Sequence, residues 1–350
     1  MENFDNYFKS RDFKNLQKIK EYLTKLPDFC DEFFRGIEHK TTYLTRLNYA
    51  IDLKIFFDFL CKEILEFNNK TVKQLTLKDL SKITATHIEI FLTYLSSYYN
   101  NDNKYVTNNL SGKARKLATL RSFLKYFYKK DKIISNVASK IDTPKIHTKE
   151  IIRLEVDEVV KLLNQAEFPS NFSKRQESYN NITKKRDVAI LTLLLGTGIR
   201  VSECVGLNID DIDFNVNGFK ITRKGGNQVV LYFSNEVRNA LLDYLEERLN
   251  NNKIQEDEKA LFISMQNKRM TVRSIEKLVK KYSEASIPLK HITPHKLRST
   301  YGTNLYKETR DIYIVADVLG HKDVNTTKKH YAAISEDVRR NIAEKVKLRD

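Results

Sequence analysis

The chain has 350 residues, of which 41% are hydrophobic, and a formal net charge of +16 at pH 7. This length predicts two domains, each large enough to bury its own core, and the apolar fraction argues against a disordered chain. The sequence shows neither a signal peptide nor an apolar run that approaches a membrane span, so we expect a soluble, cytoplasmic protein without membrane contact. The positive charge favours a polyanion, most often nucleic acid, although a lysine-rich composition alone gives a similar total.

The N-terminal part predicts an all-α domain in the form of a helical bundle. Between Leu16 and about Ile134, apolar residues recur at spacings of three and four, with no comparable alternation of the β type. The periodicity is lost around Pro144, where we expect the boundary between a domain of residues 1–145 and one of residues 146–350. The three cysteines have no metal-ligand or redox spacing and are expected to be reduced thiols.

A basic stretch closes this helical domain. Residues 103–130 contain eight basic side chains and no acidic one, whereas an ordinary solvated helix face mixes the two signs. The stretch therefore predicts a surface that follows a DNA backbone, with Phe123 and Phe127 facing the core. The candidate DNA-binding residues are Lys104, Lys113, Arg115, Lys116, Arg121 and Lys125.

The C-terminal part predicts an α+β domain with a small antiparallel sheet. Two β-type runs, ending in Ile221 and in Phe233, flank K-G-G-N and predict a hairpin with Lys224 at or near its tip. Residues 261–263 are a candidate third strand, and residues 171–181 are expected to form a polar loop. Helices are predicted at 156–163, 184–195, 237–249, 272–282 and 337–346. The chain as a whole is therefore expected to be mainly α.

Residues 294–331 contain candidate side chains for binding a phosphate and for catalysis. Thr293 and Pro294 are typical of a helix start, which would place His295 and Arg298 on one face near backbone N–H groups that suit a phosphate. Gly320 is typical of a helix end, with His321 just after it.

These residues fit phosphoryl transfer on a diester, which needs a nucleophile, positive charge for the transition state and an acid for the leaving oxygen. The full candidate set is Arg200, Lys224, His295, Arg298, His321 and Tyr331. Each member alone has a plainer explanation, such as an ion pair, a solvated turn, a helix cap or a packed ring. A tyrosine in particular has a reference pKa of about 10 and attacks phosphate only if cations or a base assist it.

The order and spacing of these residues favour a joint catalytic role over the plainer explanations. In both respects the sequence resembles the tyrosine recombinases, also called the phage integrase family. The matching boxes are G-T-G-I-R-V-S-E at 196–203, R-K-G-G at 223–226, P-H-K-L-R at 294–298, L-G-H at 319–321 and Tyr331. The segment at 120–128 is similar to the family's core-binding domain. The segments at 222–226 and 274–283 most resemble the Xer recombinases that act as a single protein. The sequence departs from the common pattern at Ser299, often a histidine, and in a longer interval between His321 and Tyr331.

The resemblance implies a role for each residue. Tyr331 would attack a DNA phosphate to form a 3′-phosphotyrosine, and Lys224 would protonate the leaving 5′ oxygen. Arg200 and Arg298 would clamp the phosphate, His295 and His321 would bind it and assist proton transfer, and Glu203 would orient the arginine box. The ester keeps the bond energy, so no ATP, other cofactor or metal is expected; the sequence has no Walker loop and no carboxylate cluster.

The resemblance also implies a two-domain clamp around double-stranded DNA and a homotetramer on two recombination sites. Chromosome dimer resolution is the expected role, with a DNA translocase as a possible regulator. An integrase of a mobile element is the nearest alternative, disfavoured because no β-rich arm-binding domain is evident. A type IB topoisomerase is disfavoured by the separate core-binding helices, and a non-catalytic DNA-binding protein by the complete set of boxes.

Overall fold

The computed structural model describes residues 7–146, 152–170, 173–223, 226–255, 258–320 and residue 324. The chain divides into two compact units, Met1–Thr148 and Lys149–Asp350. Within the described ranges, no helix combines the length and the apolar character needed to cross a membrane. The mainly α fold expected from the sequence is confirmed, and each unit is described by itself.

The first unit is a helical bundle with one small hairpin. Its helices are α1 (Tyr7–Leu23), α2 (Cys30–Gly36), α3 (Tyr43–Glu63), α4 (Leu77–Lys82), α5 (Ala85–Tyr94) and α6 (Leu110–Tyr128). Strands β1 (Tyr98–Tyr99) and β2 (Tyr105–Val106) pair in antiparallel fashion between α5 and α6. The sequence did not predict this hairpin, because two-residue strands are too short to show an alternation.

Aromatic side chains fill the core of the bundle. Phe123 and Phe127 of α6 are both fully buried, which confirms their predicted orientation. Phe123 meets Phe33 of α2 edge to face, with ring centroids 5.0 Å apart, an arrangement worth about 0.5–1.5 kcal/mol beyond the area it buries. One side of α6 is therefore committed to the core, which leaves only its remaining faces for ligand contacts.

The second unit combines helices with a three-stranded antiparallel sheet. The helices are α7 (Val156–Glu167), α8 (Lys174–Thr197), α9 (Val201–Gly206), α10 (Asn235–Leu249), α11 (Val272–Ser286), α12 (Pro294–Thr309) and α13 (Ile312–Leu319). The strands are β3 (Ile212–Asp213), β4 (Gly218–Thr222) and β5 (Gln228–Tyr232), in the order β3-β4-β5. The predicted hairpin is confirmed as β4 and β5, with Phe219 opposite Leu231 and Thr222 opposite Gln228.

The predicted polar loop at 171–181 is wrong where it is described, because α8 begins at Lys174. The Ser173 hydroxyl accepts from the Gln176 backbone N–H, and the Gln176 side chain accepts from the Ser173 N–H. Along α8, the buried residue Asn180 accepts a hydrogen bond from the Tyr282 hydroxyl of α11, at a distance of 2.5 Å. A helix that buries polar side chains shows no apolar periodicity, so its first turns resembled a loop in the sequence.

The predicted third strand is also wrong. The strand that completes the sheet is β3, which pairs with β4, whereas residues 261–263 make only isolated bridges at their margins among the described residues. The apolar character of this segment comes from packing instead. Phe262 is almost fully buried, and its ring stacks on Tyr244 of α10 at 5.5 Å.

Candidate active site

The turn between α8 and α9 presents Arg200. Helix α8 ends at Gly198, whose φ of 60° lies in the left-handed region that glycine adopts at little cost. A Cβ built on Gly198 would lie 2.4 Å from the Tyr301 ring, so a larger residue would force the two segments apart. The chain then extends into Arg200, which is the N-cap residue of α9.

Glu203 holds Arg200 in place. One carboxylate oxygen of this buried residue accepts from the Arg200 backbone N–H at 3.0 Å, and the other accepts from its guanidinium Nη1 at 2.8 Å. The Arg200 side chain remains about one third exposed. The orienting role expected for Glu203 therefore has a direct geometric basis, because its two bonds fix both ends of the arginine.

Helix α12 supplies His295 and Arg298. It begins at Pro294 after the N-cap Thr293, as predicted, and its first turn carries His295, which is exposed. Arg298, one turn further, is only 8% exposed and donates to the carbonyl oxygens of Gly198 and Leu319. The hydroxyl of Ser299 donates to the His295 carbonyl at 3.0 Å, so this departure from the family pattern serves the helix backbone.

Three arginines meet at the C-terminal end of α13. This helix ends at Gly320 in the left-handed conformation, as predicted, with φ 62°. Arg298 donates to the Leu319 carbonyl and Arg200 Nη2 donates to the Gly320 carbonyl at 3.0 Å. Arg223, the residue that follows β4, donates to the carbonyls of Asp317 and Val318 at 3.0 and 2.7 Å. Four successive carbonyls therefore accept from three guanidinium groups.

This arrangement follows from the chemistry of a helix end. The last carbonyls of a helix have no partner within it and carry partial negative charge, and a guanidinium offers five N–H donors. Arg200 and Arg298 are far apart in sequence, yet they bond to the neighbouring carbonyls of Gly320 and Leu319. Their charges are thus gathered in fixed positions, which can stabilise the negative charge of a phosphate without reorganisation.

Arg223 is a site residue that the sequence reasoning missed. Burial lowers its pKa; the nearby Glu203 carboxylate opposes this shift, and the Arg200 guanidinium adds to it. These effects place Arg223 in the same electrostatic cluster as the predicted arginine box. Its position in R-K-G-G, directly before Lys224, was the available signal, but no role was assigned to it.

Lys224, His321 and Tyr331 lie outside the described residues. The structure describes the residues next to two of them in the chain: Arg223 precedes Lys224, and Gly320 precedes His321. Of the predicted catalytic set, the structure therefore brings together Arg200 and Arg298 with the supporting Glu203, and it places His295 one helical turn before Arg298.

Other tyrosines and the buried cysteines are poor nucleophiles. Burial raises the pKa of Tyr301, and Tyr306 packs against the buried Val315 and Leu319 of α13. Cys204 is fully buried next to the arginine box, and burial raises the pKa of its thiol. Groups whose pKa rises in this way are less often ionised and so less reactive.

Two of the candidate DNA-binding residues are engaged inside the first unit. Lys116 is only 5% exposed, and its ammonium donates to Asn108 at 2.8 Å and lies 3.8 Å from the carboxylate of the buried Asp52. We therefore remove Lys116 from the predicted surface, because its charge is used in the core. Arg121 binds the carbonyl oxygens of Ala138 and Ile141.

The remaining candidates reach solvent. Lys104 and Lys125 are exposed. Arg115 is about half exposed although it pairs with Asp52, and the ammonium of the half-buried Lys113 donates to the Ser96 hydroxyl at 2.6 Å. The sequence stretch had no acidic residue, but in the fold Asp52 of α3 neutralises part of its charge.

A family model described as "Phage integrase family" matches residues 152–337, which is more than half of the chain. The chain belongs to the phage integrase family. The matched region contains every residue of the candidate site. This result confirms the resemblance inferred from the five sequence boxes.

Named relatives identify the family member as a tyrosine recombinase. Tyrosine recombinase XerC of Caldanaerobacter subterraneus subsp. tengcongensis is 34% identical over 320 residues, covering 87% of this chain and 82% of its own. Tyrosine recombinase XerS of Streptococcus thermophilus is 30% identical over 366 residues, covering 93% of this chain and 97% of its own.

Solved structures show the same fold. The XerH site-specific recombinase bound to palindromic difH substrate superposes with a TM-score of 0.65 at 18% identity, covering 94% of this chain and 88% of that one. A lambda integrase tetramer bound to a Holliday junction gives a TM-score of 0.60 at 17% identity, covering 87% and 76%. The integrase fold is therefore present along most of this chain.

Proposed function

We propose that the protein is a site-specific DNA recombinase that cuts and rejoins DNA through a 3′-phosphotyrosine formed on Tyr331. The observation that carries this proposal is the meeting of Arg200 and Arg298 on the neighbouring carbonyls of Gly320 and Leu319. Two fixed guanidinium groups at this point suit the phosphate of a DNA strand, which gains negative charge as the nucleophile attacks.

The remaining roles are those that the resemblance to the family implies. The Tyr331 oxygen forms a bond to phosphorus while the bond to the 5′ oxygen breaks, and Lys224 supplies the proton that this oxygen takes. His295 and His321 bind the phosphate and assist proton transfer. Glu203 keeps Arg200 in its productive orientation through its two hydrogen bonds. The free 5′-hydroxyl of a partner strand then attacks the phosphotyrosine and regenerates Tyr331, so no external energy source enters.

Tyr331 is the proposed nucleophile rather than Tyr301, Tyr306 or Tyr313. Tyr301 is held against Gly198 with a raised pKa, and Tyr306 is packed on α13. Tyr313 is 70% exposed, but it lies in the first turns of α13, at the opposite end of that helix from the arginine cluster. Tyr331 follows the L-G-H box, as a family nucleophile does.

The proposed substrate is a double-stranded DNA site bound by residues 1–145 and cut by residues 146–350. Lys104, Lys113, Arg115 and Lys125 are the proposed backbone contacts in the first domain, since each reaches solvent. The likeness to a tetramer on a Holliday junction supports a homotetramer on two sites.

The similarity to XerS and XerC supports a role in chromosome dimer resolution, which would take place in the cytoplasm under control of a DNA translocase. A mobile-element integrase would use the same chemistry. Recombination of an intact DNA that carries two copies of a candidate chromosomal site, compared with an intact DNA that carries element ends, separates these two roles.

A suicide substrate tests the chemistry directly. Its nick beside the cleavage point lets a short fragment with the 5′-hydroxyl diffuse away, so a protein–DNA ester accumulates. The wild type should form this adduct and Tyr331→Phe should bind the site without forming it. Tyr313→Phe is the matched control and should retain the adduct, because this exposed ring is not part of the site. An adduct that persists in Tyr331→Phe would refute the nucleophile assignment.

A further inference from the structure

The side chain of Arg223, the residue that follows β4, fastens this end of the strand to the end of α13. Its backbone belongs to the turn: the Arg223 N–H donates to the Asn227 carbonyl at 2.8 Å, and its carbonyl accepts from the Gly226 N–H at 3.0 Å. Its guanidinium points away from the hairpin and donates to the carbonyls of Asp317 and Val318. Arg223 therefore joins two elements through both its main chain and its side chain.

We propose that Arg223 is a positioning residue for Lys224, because it ties the chain that leads into Lys224 to the C-terminal end of α13. This inference rests on the proposed role of Lys224 as general acid. Arg223 has no contact with the reacting atoms in this account. It acts through its covalent neighbour Lys224, because its own guanidinium binds the same helix end that receives Arg200 and Arg298.

Arg223 makes the described hydrogen bonds that connect this turn to another element. The bonds of the turn at residues 222–228 otherwise run between its own strands, within the part of the chain that the structure describes. The outer strand β5 packs through one face, since Leu231 is buried whereas Val230 and Tyr232 are 48% and 67% exposed. Loss of the Arg223 side chain would therefore release this end of β4 from α13 while the β4–β5 ladder remained intact.

Gly320 makes this attachment close. A Cβ built on Gly320 would lie 2.5 Å from both Cζ and Nη1 of Arg223, so the guanidinium lies directly on the glycine backbone. Bonds to two successive carbonyls also need the planar fork of arginine, because a lysine ammonium is a single point on a flexible stem. The geometry is thus specific to arginine at 223 and to glycine at 320.

The chemical consequence concerns proton transfer. A general acid works only within hydrogen-bond reach of the leaving oxygen, and a misplacement of about 1 Å costs roughly 100-fold in rate. Displacement of the turn should slow the step in which the bond to the 5′ oxygen breaks and that oxygen takes the proton of Lys224. A leaving group that needs no proton should be insensitive to the same displacement.

The test compares two suicide substrates, one with the natural 5′ oxygen and one with sulfur at that bridging position. A thiolate leaves without protonation because a thiol has a much lower pKa than an alcohol. Arg223→Ala and Arg223→Lys should form the adduct about 100-fold more slowly than the wild type on the oxygen substrate. On the sulfur substrate both should come within a few-fold of the wild type, as Lys224→Ala should.

Arg238→Ala is the matched control. Arg238 also bonds a backbone carbonyl of the sheet region, that of Phe214, and the Asn217 side chain, at the end of the hairpin away from the turn. Any loss of activity in this variant should be equal on the two substrates, since it would reflect stability alone.

The outcomes separate this inference from the proposed function. If sulfur rescues Lys224→Ala but neither Arg223 variant, then Arg223 does not act through Lys224 and the inference is overturned alone. If sulfur fails to rescue Lys224→Ala, the general acid is misassigned, and the inference falls with it while the phosphotyrosine chemistry of Tyr331 stands. Rescue of all three variants, without rescue of Arg238→Ala, supports the inference.

Discussion

Gly198→Ala is expected to destabilise the second unit by about 2–5 kcal/mol. An alanine held at the observed φ of 60° costs about 1–2 kcal/mol, because Cβ approaches the following carbonyl oxygen. Its Cβ would also meet the Tyr301 ring at 2.4 Å, and relief of such overpacking costs roughly 1–3 kcal/mol. The shift required would also separate the Gly198 carbonyl from Arg298, so DNA cleavage should fall together with stability.

Gly226→Ala provides the control for this prediction. Gly226 also has a positive φ, of 88°, but a Cβ there would meet no atom of the described residues within 4 Å, so only the backbone cost applies. The chain contains no tryptophan, so urea unfolding of the full-length variants is best followed by circular dichroism. Equal losses in the two variants would show that the Tyr301 contact does not constrain the turn.

Three further predictions concern the charged groups. Glu203→Gln should slow adduct formation about tenfold, measured on the suicide substrate, because a neutral amide holds Arg200 less strongly than a carboxylate does; an unchanged rate would remove its orienting role. Lys125→Ala should reduce the slope of log binding constant against log salt concentration by about one counterion, measured by fluorescence anisotropy. Lys116→Met should leave this slope unchanged, because Lys116 is buried. The reverse pattern would contradict the assigned DNA-binding surface. Burial lowers the pKa of Lys116, so the folded chain loses this proton at a lower pH than the unfolded chain does. Between that lowered pKa and the unfolded value of about 10.4, the wild type should gain stability with rising pH relative to Lys116→Met, and parallel stability curves would refute this.

The parts of the fold that the sequence predicted well are those set by local chemistry. Thr293 and Pro294 mark the start of α12, and Gly320 marks the end of α13 with a positive φ. The hairpin followed from two β-type runs around a glycine pair. These signals act within a few residues, so they can be read without knowledge of the tertiary structure.

The errors arose where distant residues decide the outcome. The first turns of α8 resembled a loop because buried Asn180 is satisfied by Tyr282, about a hundred residues later. Lys116 resembled a DNA contact because nothing in the neighbouring sequence indicated that it would pair with Asp52 in the core. The R-K-G-G box alone gives Arg223 no role, because only the fold places its side chain on the end of α13.

The most direct test of the account is to identify the residue that carries the DNA. The adduct formed by the full-length wild type on a suicide substrate is digested with nuclease and protease, and the peptide that retains a nucleotide is sequenced by mass spectrometry. We predict a single modified residue, Tyr331, joined to the 3′ end of the cleaved strand. Modification of Tyr301, Tyr306 or Tyr313, or attachment to a 5′ end, would contradict it.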